Sequence, residues 1–113
     1  MRKEVQMNYL EFVETRIFSQ QPKLIMEDNE FQLFQAFLLE NYEYGDVISR
    51  SGGCRKIRWR ALNKGKRGGV RVIYYNRTMS GRLYLLTIYT KNAKEDLNEQ
   101  EKAILRAIIQ KLA

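Results

Sequence analysis

Hydrophobic and polar residues alternate along the chain with two different periods, which predicts a protein of mixed α and β structure. Near the N-terminus, Tyr9–Thr15 alternates with a period of two and is predicted to form a first strand. The pattern then loosens from Arg16, and we predict a short helix that ends near Pro22, because proline terminates helices.

A second helix is predicted in the aromatic-rich segment that follows. Asp28 is suited to the N-cap position, and the helical pattern ends near Tyr42, before Gly45. One helical stripe is apolar and consists of Phe31, Phe34, Phe37 and Leu38. Such a stripe indicates burial in the core and not contact with a cofactor.

Three strands are predicted in the middle of the chain. They are Arg55–Ala61, Val70–Tyr75 and Arg82–Thr90, and the last two are rich in β-branched and aromatic residues. The turn Met79–Gly81 predicts that these two strands form an antiparallel hairpin.

The chain ends in a predicted helix with a capping box, because Asn98 is followed three residues later by Glu101. Its apolar face consists of Ile104, Leu105, Ile108, Ile109 and Leu112. The predicted order is β-α-α-β-β-β-α. We expect an α+β fold with one antiparallel-rich sheet, helices packed on one face, and the other face partly open.

Length and composition predict one cytosolic domain over residues 1–113. Hydrophobic residues make up 44% of the chain, but no apolar run approaches the roughly 20 residues that span a bilayer. The first residues lack the apolar stretch of a signal peptide. The single cysteine, Cys54, excludes an intramolecular disulfide. We expect it to be a small packing residue and not a nucleophile, because the chain has no histidine to activate it.

Positive charge is concentrated in one part of the sequence. Between Val47 and Lys94 there are thirteen Lys or Arg residues and no Asp or Glu. A field of one sign attracts a polyanion. Nucleic acid is favoured over membrane lipid, because this stretch is predicted as strands and turns and not as an amphipathic basic helix.

The first basic strand separates its side chains into two sets, because successive residues of a strand point to opposite faces. One set is Lys56, Arg58 and Arg60, and the other is Arg55, Ile57 and Trp59. In the next strand, Arg71 shares a face with Ile73 and Tyr75. Arg71 is either an anion-binding residue on an exposed concave face or an edge residue with its stem on apolar surface.

A glycine-rich basic loop, Leu62–Gly69, connects these two strands, and it contains Lys64, Lys66 and Arg67. Glycines let backbone N–H groups approach an anion. The order of a P-loop is absent. Alone, this loop fits an ordinary solvated turn; between two basic strands it favours a phosphate-binding loop.

Three stretches, GGCRKIRW, KGKRGGVRVIYY and RLYLLTIYTKNAKEDL, resemble the RelE/HigB toxin superfamily, and most of all its HigB-like phage-associated branch. The resemblance runs from about Asp46 to Asp96. It implies a toxin of a type II toxin–antitoxin pair that cleaves mRNA in the ribosomal A site without metal or another cofactor. It also implies inhibition by a cognate antitoxin, which in this branch typically carries a helix-turn-helix domain.

The resemblance also implies site residues. Arg71 matches the family's phosphate-contacting arginine, and Lys64, Lys66 and Arg67 occupy the turn where several members have catalytic lysines or arginines. Lys91 and Lys94 lie where many relatives have a second basic pair. Relatives often add a tyrosine or histidine just after that pair, whereas this chain continues Glu95-Asp96-Leu97, so the general base is not assigned.

The predicted chemistry is attack of the RNA 2′-OH on the adjacent phosphate. Lysines of lowered pKa would transfer protons, and arginines would stabilise the charge on the phosphate. The predicted RNA-binding residues are Arg55, Lys56, Arg58, Arg60, Lys94 and Tyr89. Tyr89 and Tyr75 fit either base stacking or ordinary sheet packing. Two other functions stay open: a non-catalytic RNA- or ribosome-binding module, and, less favoured, a DNA-binding regulator, for which no helix is basic enough.

Overall fold

A computed structural model describes residues 28–59, 69–77, 81–90, 94 and 96–112, together with the backbone of residues 11–14. These residues contain β1 (Glu11–Glu14), α1 (Asp28–Glu40), β2 (Asp46–Val47), β3 (Arg55–Trp59), β4 (Val70–Arg77), β5 (Arg82–Thr90) and α2 (Glu99–Leu112). The predicted α+β class is confirmed. The helix predicted between Arg16 and Pro22 lies outside the described residues, and the short strand β2 was not predicted.

The strands form one open sheet in the order β1-β5-β4-β3-β2. The pairs β2–β3, β3–β4 and β4–β5 are antiparallel, which confirms the predicted antiparallel-rich sheet, whereas β1 is parallel to β5. The register between β4 and β5 shifts between Ile73 and Tyr74, which leaves Leu86 as an extra residue in β5. Central strands β4 and β5 are rich in residues that favour a pleated, buried surface.

Helix α1 covers one face of the sheet. Phe34 and Leu38 are fully buried, and the Phe34 ring lies edge-on to Trp59 with the ring centroids 5.4 Å apart. The Trp59 indole Nε1 donates a hydrogen bond of 2.8 Å to the buried Glu30 carboxylate. The sheet residues buried in this cluster are Ile57, Val70, Val72, Tyr74, Leu83, Leu85 and Ile88.

Helix α2 covers part of the opposite face. Its buried residues Leu105 and Ile109 join a second cluster with Cys54, Ile73, Tyr84, Leu86, Tyr89 and Leu97. The prediction that the helices pack on one face is therefore wrong for the two described helices. The physical reason lies in β4, where five consecutive residues from Val70 to Tyr74 are buried. A strand that is buried on both sides needs a cover on both sides.

The C-terminal helix begins as predicted. Asn98 Oδ1 accepts a hydrogen bond from the Glu101 backbone N–H at 2.8 Å, and Glu101 Oε1 accepts one from the Asn98 N–H at 2.9 Å. Ile104, which we placed on the apolar face, is 50% exposed. Neither α1 nor α2, the helices among the described residues, has the length and apolar character needed to cross a membrane.

Cys54 belongs to the core cluster that also contains Leu105 and Ile109 of α2. The side chain is fully buried, and burial raises the pKa of its thiol to about 11. A thiol with this pKa is protonated at neutral pH and is a poor nucleophile. The packing role predicted for Cys54 is confirmed.

Candidate nucleic-acid interface

Three side chains of the α2 face lie in a line across the sheet. Arg58 of β3 is directly opposite Arg71 of β4, and Arg71 is directly opposite Tyr89 of β5. Directly opposed residues of antiparallel strands have their side chains on the same face. We call Arg58, Arg71 and Tyr89 the cationic row. Two arginines in directly opposed positions favour an anion that both can contact.

Exposure decreases from the edge of this row to its centre. Arg58 is exposed, whereas Arg71 is 4% exposed and Tyr89 is 5% exposed. The prediction that Arg71 stands on an open face is therefore wrong. The reason is that five consecutive residues of β4, from Val70 to Tyr74, are buried, so both faces of the strand are covered at this point. Arg71 is not an edge residue either, because β3 and β5 lie on either side of β4. An anion that approaches from solvent meets Arg58 first.

Lys94 adjoins the Tyr89 end of the row. Its Nζ lies 5.1 Å from the centroid of the Tyr89 ring, which is the geometry of a cation–π contact. The same ammonium group forms an ion pair with Glu101, and the hydrogen bond from Lys94 lowers the pKa of the Glu101 carboxyl. Lys94 is thus held between an aromatic ring and the first turn of α2.

Lys56 is the next residue of β3 on the same face as Arg58. Its Nζ lies 2.5 Å from Asp96 Oδ1, and this hydrogen bond lowers the pKa of the Asp96 carboxyl. A similar pair joins the Arg50 guanidinium to Glu99 at 2.6 Å. The basic run that contains no acidic residue in sequence is therefore partly neutralised in space by carboxylates from the C-terminal segment.

Arg55 lies apart from the row. Its Nη1 donates hydrogen bonds to the backbone carbonyl oxygens of Glu43 at 3.0 Å and Gly45 at 2.7 Å. Its guanidinium therefore holds the loop between α1 and β2. Ile57 and Trp59 pack in the core on the α1 side, and Ile73 and Tyr75 belong to the opposite cluster.

Sequence reasoning missed a cleft beside the row. It has a volume of about 310 Å³ and is lined by Tyr44, Gly45, Asp46, Lys56, Ile57 and Arg58. Tyr44 and Asp46 belong to the part of the chain that is rich in acidic residues, so the charge pattern gave no reason to place them beside the basic strand. The sequence feature that could have indicated a turn at this place is Gly45, which lies between Tyr44 and Asp46.

Five of the predicted site residues lie outside the described residues: Arg60, Lys64, Lys66, Arg67 and Lys91. The structure brings together Arg58, Arg71, Tyr89, Lys94 and, one row away, Lys56. Within the described residues, no three His, Cys, Asp or Glu side chains come together in a group that could hold a metal ion. The predicted site residues that are described on this face and carry positive charge are Lys56, Arg58, Arg71 and Lys94, and Arg58 is the most exposed of them.

The chain was compared with protein-family models, and no family model matches it.

Proposed function

We propose that this chain is a ribosome-dependent mRNA endonuclease of the RelE/HigB kind, which cleaves message in the ribosomal A site and so stops translation. The observation that carries the proposal is the cationic row, in which Arg58 and Arg71 occupy directly opposed positions beside Tyr89. Guanidinium groups match the geometry of phosphate oxygens and form paired hydrogen bonds with them.

The proposed reaction uses the RNA as its own nucleophile. The 2′-OH loses its proton and attacks the adjacent phosphorus, and the 5′-oxygen leaves with a proton, which gives a cyclic phosphate. Arg58 contacts the phosphate from the solvent side, and Arg71 stabilises the developing negative charge from behind it. We assign the proton transfers to Lys64, Lys66 and Lys91 and further charge stabilisation to Arg67, and the ribosome supplies the alignment of the message.

The proposal includes the finer fold and the partners that the resemblance implies. The arrangement is then a RelE-like fold, in the cytoplasm, inhibited by a cognate antitoxin with a helix-turn-helix domain. An adjacent reading frame that encodes such a protein would support this part of the proposal. A neighbourhood without one would count against it.

A second candidate is an RNA- or ribosome-binding module that does not cleave. The observation that favours it is the burial of Arg71, which is 4% exposed and so presents little surface to a phosphate. Binding through Arg58 alone would need no rearrangement around Arg71. The two candidates differ in one measurable property, which is whether the message is cut.

The test uses purified protein and ribosomes programmed with a defined message, with cleavage detected by primer extension. We expect cuts inside the translated frame and few in the same RNA without ribosomes. Arg58→Ala should lower the cleavage rate by about 100-fold, as expected for the loss of one donor to the reacting phosphate. Lys111→Ala, which removes one exposed positive charge from the end of α2, is the matched control and should cleave normally.

Two results would overturn the proposal in different ways. Ribosome binding with intact message would establish the non-catalytic module. Equal cleavage by wild type and Arg58→Ala would remove the cationic row from the active site.

A further inference from the structure

The cleft beside the cationic row has an aromatic side chain at its rim. Tyr44 is 68% exposed, although it is one of the larger hydrophobic side chains of the described residues. Among the described strands, β2 pairs with β3 only at Asp46 and Val47. Beyond Lys56, therefore, the edge of β3 is bordered by the cleft and not by a described strand.

The loop that carries Tyr44 is fixed from two sides. The Tyr74 hydroxyl accepts a hydrogen bond from the Gly45 N–H at 3.0 Å and donates one to the Tyr42 carbonyl at 2.8 Å. Arg55 holds the same loop through the carbonyl of Gly45. A Cβ at position 45 would lie 2.8 Å from the Tyr74 hydroxyl, so the backbone approaches the sheet as closely as only glycine permits.

The Tyr44 ring is also positioned before any ligand arrives. It meets the Phe37 ring edge-on, with centroids 5.7 Å apart and an interplanar angle of 86°. This contact supports one side of Tyr44 while most of the ring stays in solvent. A ring that is already ordered loses little conformational entropy when a flat ligand stacks on it, and every nucleobase offers a flat π-face.

The polar groups of the cleft match the other parts of a nucleotide. Arg58 is an exposed cation that a phosphate can approach from solvent, and Lys56, which lines the same cleft, is paired with Asp96. Asp46 is an exposed carboxylate directly opposite Lys56. A carboxylate accepts hydrogen bonds from the N1–H and the amino group of guanine, but it faces two carbonyl oxygens beside the single N–H of uracil.

We propose that this cleft binds one unpaired nucleotide of single-stranded RNA, with its base stacked on Tyr44, its Watson–Crick edge at Asp46 and its phosphate at Arg58. The cleft then selects guanine over uracil beside the cleavage site. The inference rests on the proposed function for its choice of RNA as the ligand.

The test measures the binding of fluorescent pentanucleotides to the full chain, without ribosomes, for a central guanine and a central uracil. Tyr44→Phe keeps the ring and should bind within twofold of wild type. Tyr44→Leu keeps apolar volume against Phe37 but loses the π-face, and it should bind about 10-fold more weakly, within the range measured for loss of one stacking contact. Ile104→Ala, on the exposed side of α2, is the control and should not change binding.

Asp46→Asn separates base recognition from simple charge. Removal of the negative charge should strengthen binding of both oligonucleotides, but the ratio of guanine to uracil affinity should fall. An unchanged ratio would overturn the assignment of Asp46, and equal binding by Tyr44→Leu and wild type would overturn the stacking site.

The outcomes also distinguish this inference from the proposed function. If wild type cuts message on ribosomes and Tyr44→Leu binds and cuts equally well, the cleft inference fails and the nuclease stands. If wild type does not cut message but its oligonucleotide binding depends on Tyr44, the cleft inference stands and the nuclease fails.

Discussion

The same strands form both faces of the sheet, yet the side chains on the two faces differ in chemical character. On the α1 face, β3 contributes Ile57 and Trp59 to a cluster that is apolar apart from Glu30. On the α2 face, the alternate residues of β3 are Lys56 and Arg58. Around Leu105, this face is closed by apolar packing. The α1 face therefore contributes mainly to the stability of the fold. The α2 face contains both apolar core residues and basic residues.

The largest predicted effect on stability comes from a substitution in the apolar cluster of the α1 face. Phe34→Ala removes a fully buried ring from the contact with Trp59 and should lower the free energy of unfolding by about 3–5 kcal/mol. Ile104→Ala on α2 should change it by less than about 0.5 kcal/mol, because that side chain is half-exposed. Urea unfolding monitored by Trp59 fluorescence measures both. Similar losses for the two variants would contradict the assignment of Phe34 to the core and of Ile104 to the surface.

The second prediction separates the two arginines of the cationic row. Arg71→Ala should lower the free energy of unfolding by about 2 kcal/mol, because its stem is buried in the sheet. Arg58→Ala, at an exposed position, should change it by less than about 0.5 kcal/mol. Both variants should lose message cleavage, and Arg71→Lys should recover part of it, since lysine keeps the charge but not the paired donors.

Thermal unfolding paired with primer extension measures this difference. A fully stable Arg71→Ala would mean that the buried stem contributes little to the sheet. A variant that is fully active would remove Arg71 from the site.

Local patterns in the sequence were enough for the elements but not for their arrangement. The β-branched and aromatic content of β4 and β5, the stripe through Phe34 and the capping box at Asn98 each depend on residues that are close in sequence, and each is confirmed. The placement of α2 on the opposite face from α1 depends on which side of β4 each helix covers. When both sides of a strand are apolar, the alternation of its side chains does not show which helix covers which side.

The sequence predicted which side chains of the candidate site share a face of the sheet, but not which charges are paired there. Alternation placed Lys56 with Arg58, and the register then set Arg58 opposite Arg71. The pair between Lys56 and Asp96 joins residues 40 positions apart, so a count of charge along the chain could not reveal it. The charge count therefore overestimated the net positive charge of the site. It also gave no information on Tyr44, which is uncharged.

The third prediction concerns the N-terminus of α2, where Glu101 forms an ion pair with Lys94. Asn98→Ala removes the acceptor for the Glu101 N–H and should lower the free energy of unfolding by about 1 kcal/mol. Asn98→Ser restores an N-cap acceptor and should recover most of the loss. Equal stability of wild type and Asn98→Ala in urea unfolding would show that the cap is replaced by other contacts.

The smallest predicted effect is a dependence of stability on pH that arises at the exposed pair of Arg50 and Glu99. The hydrogen bond from Arg50 lowers the pKa of Glu99 from its ordinary value of 4.5 to about 2. A carboxyl whose pKa is lower in the folded state binds protons more readily when the chain unfolds. Its stabilising contribution is therefore complete above about pH 4.5 and is lost as the pH falls towards 2. Salt should weaken it, since both partners are exposed.

A double-mutant cycle isolates this contribution from every other carboxyl of the chain. Arg50→Gln, Glu99→Gln and the double variant are unfolded in urea at pH 7, at pH 3 and at pH 7 with 1 M salt. Because each single variant removes the same pair, their effects at pH 7 and low salt should sum to more than the effect of the double variant. This coupling should shrink at pH 3 and in high salt. A coupling that stays constant from pH 7 to pH 3 would mean that the interaction between Arg50 and Glu99 does not depend on the charge of the Glu99 carboxylate. The contact of the 48–54 loop with α2 would then depend on other groups, such as the hydrogen bond from Arg106 to the Arg50 carbonyl.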